Sequence, residues 1–152
     1  MSSAVTHCLR IAAVVLLDQL TKLAAHSIWR SSPLVVVKRF MCFGYCENTG
    51  AAWSMFRGSS SLLATVGIVA MAALIVFRKI FDSPCKQFAA ALIFGGVCGN
   101  SIDRIFRGHV IDFIGIDLKF YRWPTFNVAD GAIFIGTVIL LFTFHRKMQE
   151  AG

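Results

Sequence analysis

Twenty residues, 58–77, pass without a single charge and end at Arg78-Lys79. A stretch that apolar is long enough to cross the hydrocarbon core of a bilayer as a helix, with the basic pair at the headgroups. Three further segments share its character. Residues 11–29 are apolar but carry Asp18 and Lys22, residues 86–103 are rich in Ala and Gly, and residues 127–145 are mostly Ile, Phe, Leu and Val before Arg146-Lys147. The chain as a whole is 57% hydrophobic and 15% charged, with a mean hydropathy of +0.69, which leaves too little polar surface for a soluble domain of 152 residues. The expected fold is therefore an α-helical membrane protein, one domain over 1–152, with four transmembrane helices at about 9–28, 59–78, 86–105 and 127–145. A cleavable signal peptide is not expected, because Asp18 and Lys22 interrupt the first apolar segment and Arg10 stands alone before it.

The first long connection contains Leu34-Val-Val-Val-Lys-Arg-Phe-Met-Cys-Phe-Gly-Tyr45, β-branched and aromatic, which reads as extended strand. The second, Val110-Ile-Asp-Phe-Ile-Gly-Ile-Asp-Leu-Lys-Phe-Tyr121, looks alike, so the two long loops are expected to pair into one small sheet outside the membrane. The net charge of +7 gathers at segment ends rather than along one face, which argues for the headgroups of membrane phospholipids as partners and against nucleic acid. Arg10, Arg78, Lys79, Lys86, Arg146 and Lys147 crowd the termini and the short loop, so both termini are expected in the cytoplasm and both long loops outside. Five cysteines without a C-x-x-C or a matching His pair indicate neither a disulfide framework nor a metal site, and whether Cys42 and Cys46 pair stays open.

Each polar group in this apolar setting has a bland reading and a functional one. Asp18 and Lys22, one helical turn apart, can simply neutralise each other inside the membrane. Asn48-Thr-Gly50 is ordinary turn chemistry. Asn100, Asp103 and Arg104 fall on one helix face and can anchor a helix end, while Gly95 and Gly99 let another helix approach closely. Yet ionisable residues at membrane depth are expensive and functional by default. Two carboxylates held a few ångströms apart share a proton, so that one accepts a proton from water while the other donates to a carbonyl, with no metal, serine or cysteine required. The residues leave open which two of Asp103, Asp112, Asp117 and Asp130 form such a pair. They also leave room for a proton-coupled transporter using Asp18, Lys22, Asp103 and Asp130, or for a silent scaffold.

Five ordered motifs narrow the choice: Asp18-Gln-Leu-Thr-Lys22, Asn48-Thr-Gly-Ala-Ala-Trp-Ser54, Gly99-Asn-Ser-Ile-Asp-Arg104, Gly108-His-Val-Ile-Asp-Phe113 and Phe126-Asn-Val-Ala-Asp130. In order and spacing the set closely resembles the bacterial lipoprotein signal peptidases, or signal peptidase II, along nearly the whole chain. The resemblance implies a membrane aspartic endopeptidase of the inner membrane that cuts prolipoproteins before a diacylglyceryl-modified cysteine, with its site near the outer face. It implies Asp112 and Asp130 as the catalytic pair, Asn48, Gly50, Asn100, Asp103, Arg104 and Asn127 as supporting or substrate-binding residues, and Asp18 and Lys22 as further motif residues. No cofactor or metal is expected, and the protein is expected to act as a monomer. Trp29, Trp53 and Trp123 sit where interfacial aromatics belong. Trp53 departs from the family motif, in which Phe is commoner, and this bears on pocket shape.

Overall fold

The computed structural model describes residues 3–51 and 55–151; Trp53 and Ser54 of the second motif lie outside the described residues. Four α-helices, α1 Ser3–Ala24, α2 Ser60–Val76, α3 Pro84–Phe106 and α4 Val128–Ala151, carry a four-stranded antiparallel sheet. Its strands are β1 Leu34–Val37, β2 Met41–Asn48, β3 Val110–Asp117 and β4 Arg122–Phe126, in the order β1-β2-β3-β4.

Helix α3 is the axis of the bundle, packed against α1, α2 and α4. Ser83 starts it by accepting the backbone N–H of Lys86 at 3.3 Å, with Pro84 set where no helical N–H is needed. Its small residues decide how near the neighbours come. A Cβ on Gly95 would lie 2.8 Å from Val14 Cβ, and one on Gly99 would lie 2.5 Å from Asp18 Oδ2, so α1 fits only against bare backbone. On the other side Gly136 of α4 faces the Ala89 carbonyl, 2.7 Å from where a Cβ would stand. Close approach of this kind supplies the van der Waals contact that holds helices together where no hydrophobic driving force acts between them. Among the described residues the buried apolar side chains of the helices are accordingly all alanines, Ala25, Ala64, Ala89, Ala90, Ala91, Ala129 and Ala132, while Leu16, Val69 and Phe142 point outward with 61%, 62% and 74% of their surface exposed. A surface that apolar calls for lipid around it.

By length and composition, one helix among the described residues, Val128–Arg146, is apolar enough to cross a membrane; Ser60–Val76 is apolar but shorter. Helix α1 carries Asp18 and Lys22 within its length and α3 carries Asp103 and Arg104 in its last turn, for a reason that the site makes plain. The helices also overrun the expected bounds: α1 begins at Ser3 and continues through a π-helical turn, Ala25–Trp29, and α4 reaches Ala151.

The sheet joins the two long loops as expected, with β2 paired to β3 through Met41↔Ile116, Cys46↔Asp112 and Asn48↔Val110. Each loop forms two strands rather than one continuous extended stretch. Arg39 (φ 62°) and Lys119 (φ 69°) adopt left-handed backbone, and these positions break each loop into a hairpin. Trp29 seats the sheet on the end of α1, its ring 4.8 Å from Phe43 and 5.6 Å from Phe113, over a small core of Ala25, Ile111 and Phe113. Cys42 and Cys46 are both free. They lie four residues apart on one strand, about 13 Å by strand rise, which is beyond disulfide reach.

Candidate active site

The site is organised at the start of α4. Asn127 Oδ1 accepts the backbone N–H of Asp130 at 2.9 Å, and Asp130 Oδ2 accepts the backbone N–H of Asn127 at 3.3 Å. This is a reciprocal cap of the helix N-terminus, and it fixes the Asp130 carboxylate over the first turn. Sequence reading put residue 127 within the span; the cap holds it just outside the helix, because its side chain is needed at the helix end. Asn127 is fully buried, and its Nδ2 donates to Asp112 Oδ1 at 2.8 Å and to Asn100 Oδ1 at 3.2 Å. Asn100 Nδ2 in turn donates to Asp130 Oδ1 at 2.8 Å. Asn48 Nδ2 reaches Asp112 Oδ2 at 3.0 Å, while its Oδ1 accepts the Gly50 N–H at 2.9 Å, so the turn reading and a place beside Asp112 hold together. Three amides from β2, α3 and the α4 cap therefore clasp two carboxylates delivered by β3 and α4.

Asp112 and Asp130 line one cavity of about 690 Å³, together with Asn48 and Arg104. The rest of its wall is apolar: Phe40, Ile116, Trp123 and Phe126 from the sheet side, Ile133 and Phe134 from α4. Asp112 is 2% exposed, and its burial, then the charge of Asp130, raise its carboxyl to about 7 against the opposing bonds from Asn48 and Asn127. Of the four aspartates that the sequence left open, Asp103 and Asp117 are outside the cavity wall. Asp117 Oδ1 accepts the Lys119 N–H in a turn, and Asp103 faces α1. Arg104 Nη2 donates to the Gly50 carbonyl at 3.1 Å. Its Nε is buried without a hydrogen-bond partner among the described residues. The expected Asn100, Asp103 and Arg104 unit is thus divided, with Arg104 turned to the loop and Asp103 to the neighbouring helix.

The sequence matches the family model for signal peptidase II, Peptidase_A8, over residues 10–146. The chain belongs to the signal peptidase II family. It is therefore a peptidase, a hydrolase. The lipoprotein signal peptidase of Psychromonas ingrahamii is 40% identical over 153 residues, covering 92% of this chain and 86% of that protein. That of Thermodesulfovibrio yellowstonii is 37% identical over 134 residues, covering 88% and 90%. A solved structure described as a bacterial membrane enzyme superposes with a TM-score of 0.88 at 30% identity, covering 97% of this chain and 92% of that one.

Behind the cavity of this signal peptidase II member lies a second, ionic layer. Lys22 Nζ, fully buried, meets Asp18 Oδ2 at 2.7 Å, Asp103 Oδ2 at 2.8 Å and Asn100 Oδ1 at 2.9 Å. Asp18 Oδ1 accepts the Ala129 N–H at 2.9 Å, which ties α1 to the first turn of α4. Asp18 and Lys22 do neutralise each other, as the bland reading held, but the ammonium also sets which way the Asn100 amide points. Sequence reasoning missed Gln19 and Arg107. Gln19 Nε2 donates to Asp103 Oδ1 at 3.1 Å, and Arg107 Nη1 bonds both Asp103 and, at 3.0 Å, Gln19 Oε1. The spacing of Asp103 and Arg107 by one helical turn was the available signal.

Proposed function

We propose that this peptidase removes signal peptides from prolipoproteins, cutting before a diacylglyceryl-modified cysteine with Asp112 and Asp130 as an aspartic pair. The observation that carries the reading is the convergence of Asp112 and Asp130 on one cavity through a shared partner, Asn127. With Asp112 raised to about 7, the pair holds one proton near neutrality. One carboxyl of the pair donates it to the scissile carbonyl while the other, ionised, takes a proton from the attacking water, and the roles reverse as the amine leaves. The free Nε of Arg104 is a donor for a substrate carbonyl, and Asn48, Asn100 and Asn127 keep the carboxylates in register.

The apolar remainder of the cavity suits a lipidated residue and an apolar signal helix. Four spans in one domain, with both termini in the cytoplasm and the sheet on the outer face of the inner membrane among phospholipid headgroups, place that cavity where such a substrate arrives sideways through lipid. One copy of the chain supplies every group the scheme uses. The test is cleavage of a diacylglyceryl-modified prolipoprotein by protein purified in detergent. Asp112→Asn and Asp130→Asn should each lower kcat by at least about 10³-fold in folded protein, with chelators without effect. A folded Asn variant that still cuts at the normal rate would refute the assignment of the pair.

A further inference from the structure

At the end of the bundle away from the two aspartates, a second cavity of about 550 Å³ lies between the first turns of α1, the last turn of α2 and the start of α3. Helices α1 and α2 both pack on α3 and scarcely touch each other, so the void is a gap between two helices that share a neighbour. Its wall includes the apolar Ile11, Leu74, Ala90 and Phe94, while His7, Gln87 and Arg78 line it with polar groups, Arg78 Nη1 donating to the Ile75 carbonyl at 3.4 Å. An apolar slot with a cation has the chemistry of an acyl chain joined to an anion. The charges nearby do not neutralise Arg78 by any salt bridge found among the described residues: Asp82 pairs with Lys86 at 2.7 Å. Arg10 is occupied elsewhere, over the Phe88 ring of α3.

We infer that this cavity binds one anionic membrane phospholipid, an acyl chain filling the gap between α1 and α2 and the phosphate resting on Arg78. Such a lipid completes the bundle on the side where protein packing stops, and it braces α1, the helix that carries Asp18 and Lys22. A zwitterionic lipid offers the same chain but less net attraction for the guanidinium. The cavity shares no lining residue with the one that holds Asp112 and Asp130.

Native mass spectrometry of the full chain in detergent, titrated with phosphatidylglycerol or with phosphatidylcholine of the same chains, reads the site directly. The expected result is one retained phosphatidylglycerol per protein, weakened about ten-fold by Arg78→Glu and little changed by Lys79→Glu, which reverses a charge beside the cavity. Leu74→Trp, which fills the slot and keeps the arginine, should abolish retention. Asp112→Asn should bind the lipid like wild type, so loss of cleavage and loss of lipid are separate results. Equal retention of the two lipids, equal loss in the Arg78 and Lys79 variants, or displacement by millimolar inorganic phosphate would overturn the inference.

Discussion

Asn127 caps α4, donates to Asp112 and touches Asn100, and no other side chain type does all three: Asp lacks the donor and Ser lacks the reach. The cost of the arrangement is a buried carboxyl. Asp112, an ordinary acid of 3.8 when unfolded, is raised to about 7 in the fold. The folded chain thus holds this proton more tightly, so the contribution is complete below about pH 4 and is lost as pH rises through about 7. Asp112→Asn carries no such proton. Its stability relative to wild type should therefore climb between pH 4 and 8, by on the order of 2–4 kcal/mol. Thermal unfolding across that range reads the difference, and a flat profile would refute the buried-acid account. Arg104→Lys keeps the charge but loses the fork that holds the Gly50 carbonyl and presents Nε. Cleavage should fall by about 10–100-fold, about 1.4–2.7 kcal/mol, with the unfolding midpoint nearly unchanged.

At the scale of elements, the glycines of α3 set the distance to α1, and that distance brings Lys22 within reach of Asn100. Gly99→Val should push α1 away at Asp18, cost about 1–3 kcal/mol and slow cleavage as well, because the Ala129 and Asn100 bonds lose their anchor. A Gly99→Val protein with normal kcat and normal stability would show that α1 is no part of the support. Much at this scale was legible in the sequence. The apolar segments located the helix interiors, and β-branched residues in both long connections foretold a shared sheet. The hairpin breaks at Arg39 and Lys119 were not legible, since neither residue advertises left-handed backbone as glycine would. The charges of α1 and α3 also misdirect a reading by hydropathy, because their neutralisation runs between the helices as well as along them: Lys22 meets Asp103 of α3 in addition to Asp18 of its own helix.

For the molecule as a whole, the peptidase presents large apolar side chains outward, small ones inward, and a cavity whose polar end sits under the sheet. Gly131 lines that cavity on α4, and a Cβ there would meet nothing within 4 Å. Gly131→Leu should therefore fold at least as well as wild type, helped by about 0.5–1 kcal/mol of helix propensity, while blocking the cavity and raising KM for lipidated substrate about ten-fold or more. Unchanged KM in the folded variant would place the substrate elsewhere.

Composition and motif order by themselves determined that this chain is built of apolar helices and that it resembles a signal peptidase II, since hydrophobicity and local residue types are properties of short stretches. Only the tertiary structure distinguished Asp112 and Asp130 from Asp103 by geometry, because that distinction rests on which partners surround each carboxylate. Residues 18 and 103, or 100, 112 and 130, become neighbours only when α1 and the sheet close on α3, and no sequence spacing encodes that contact.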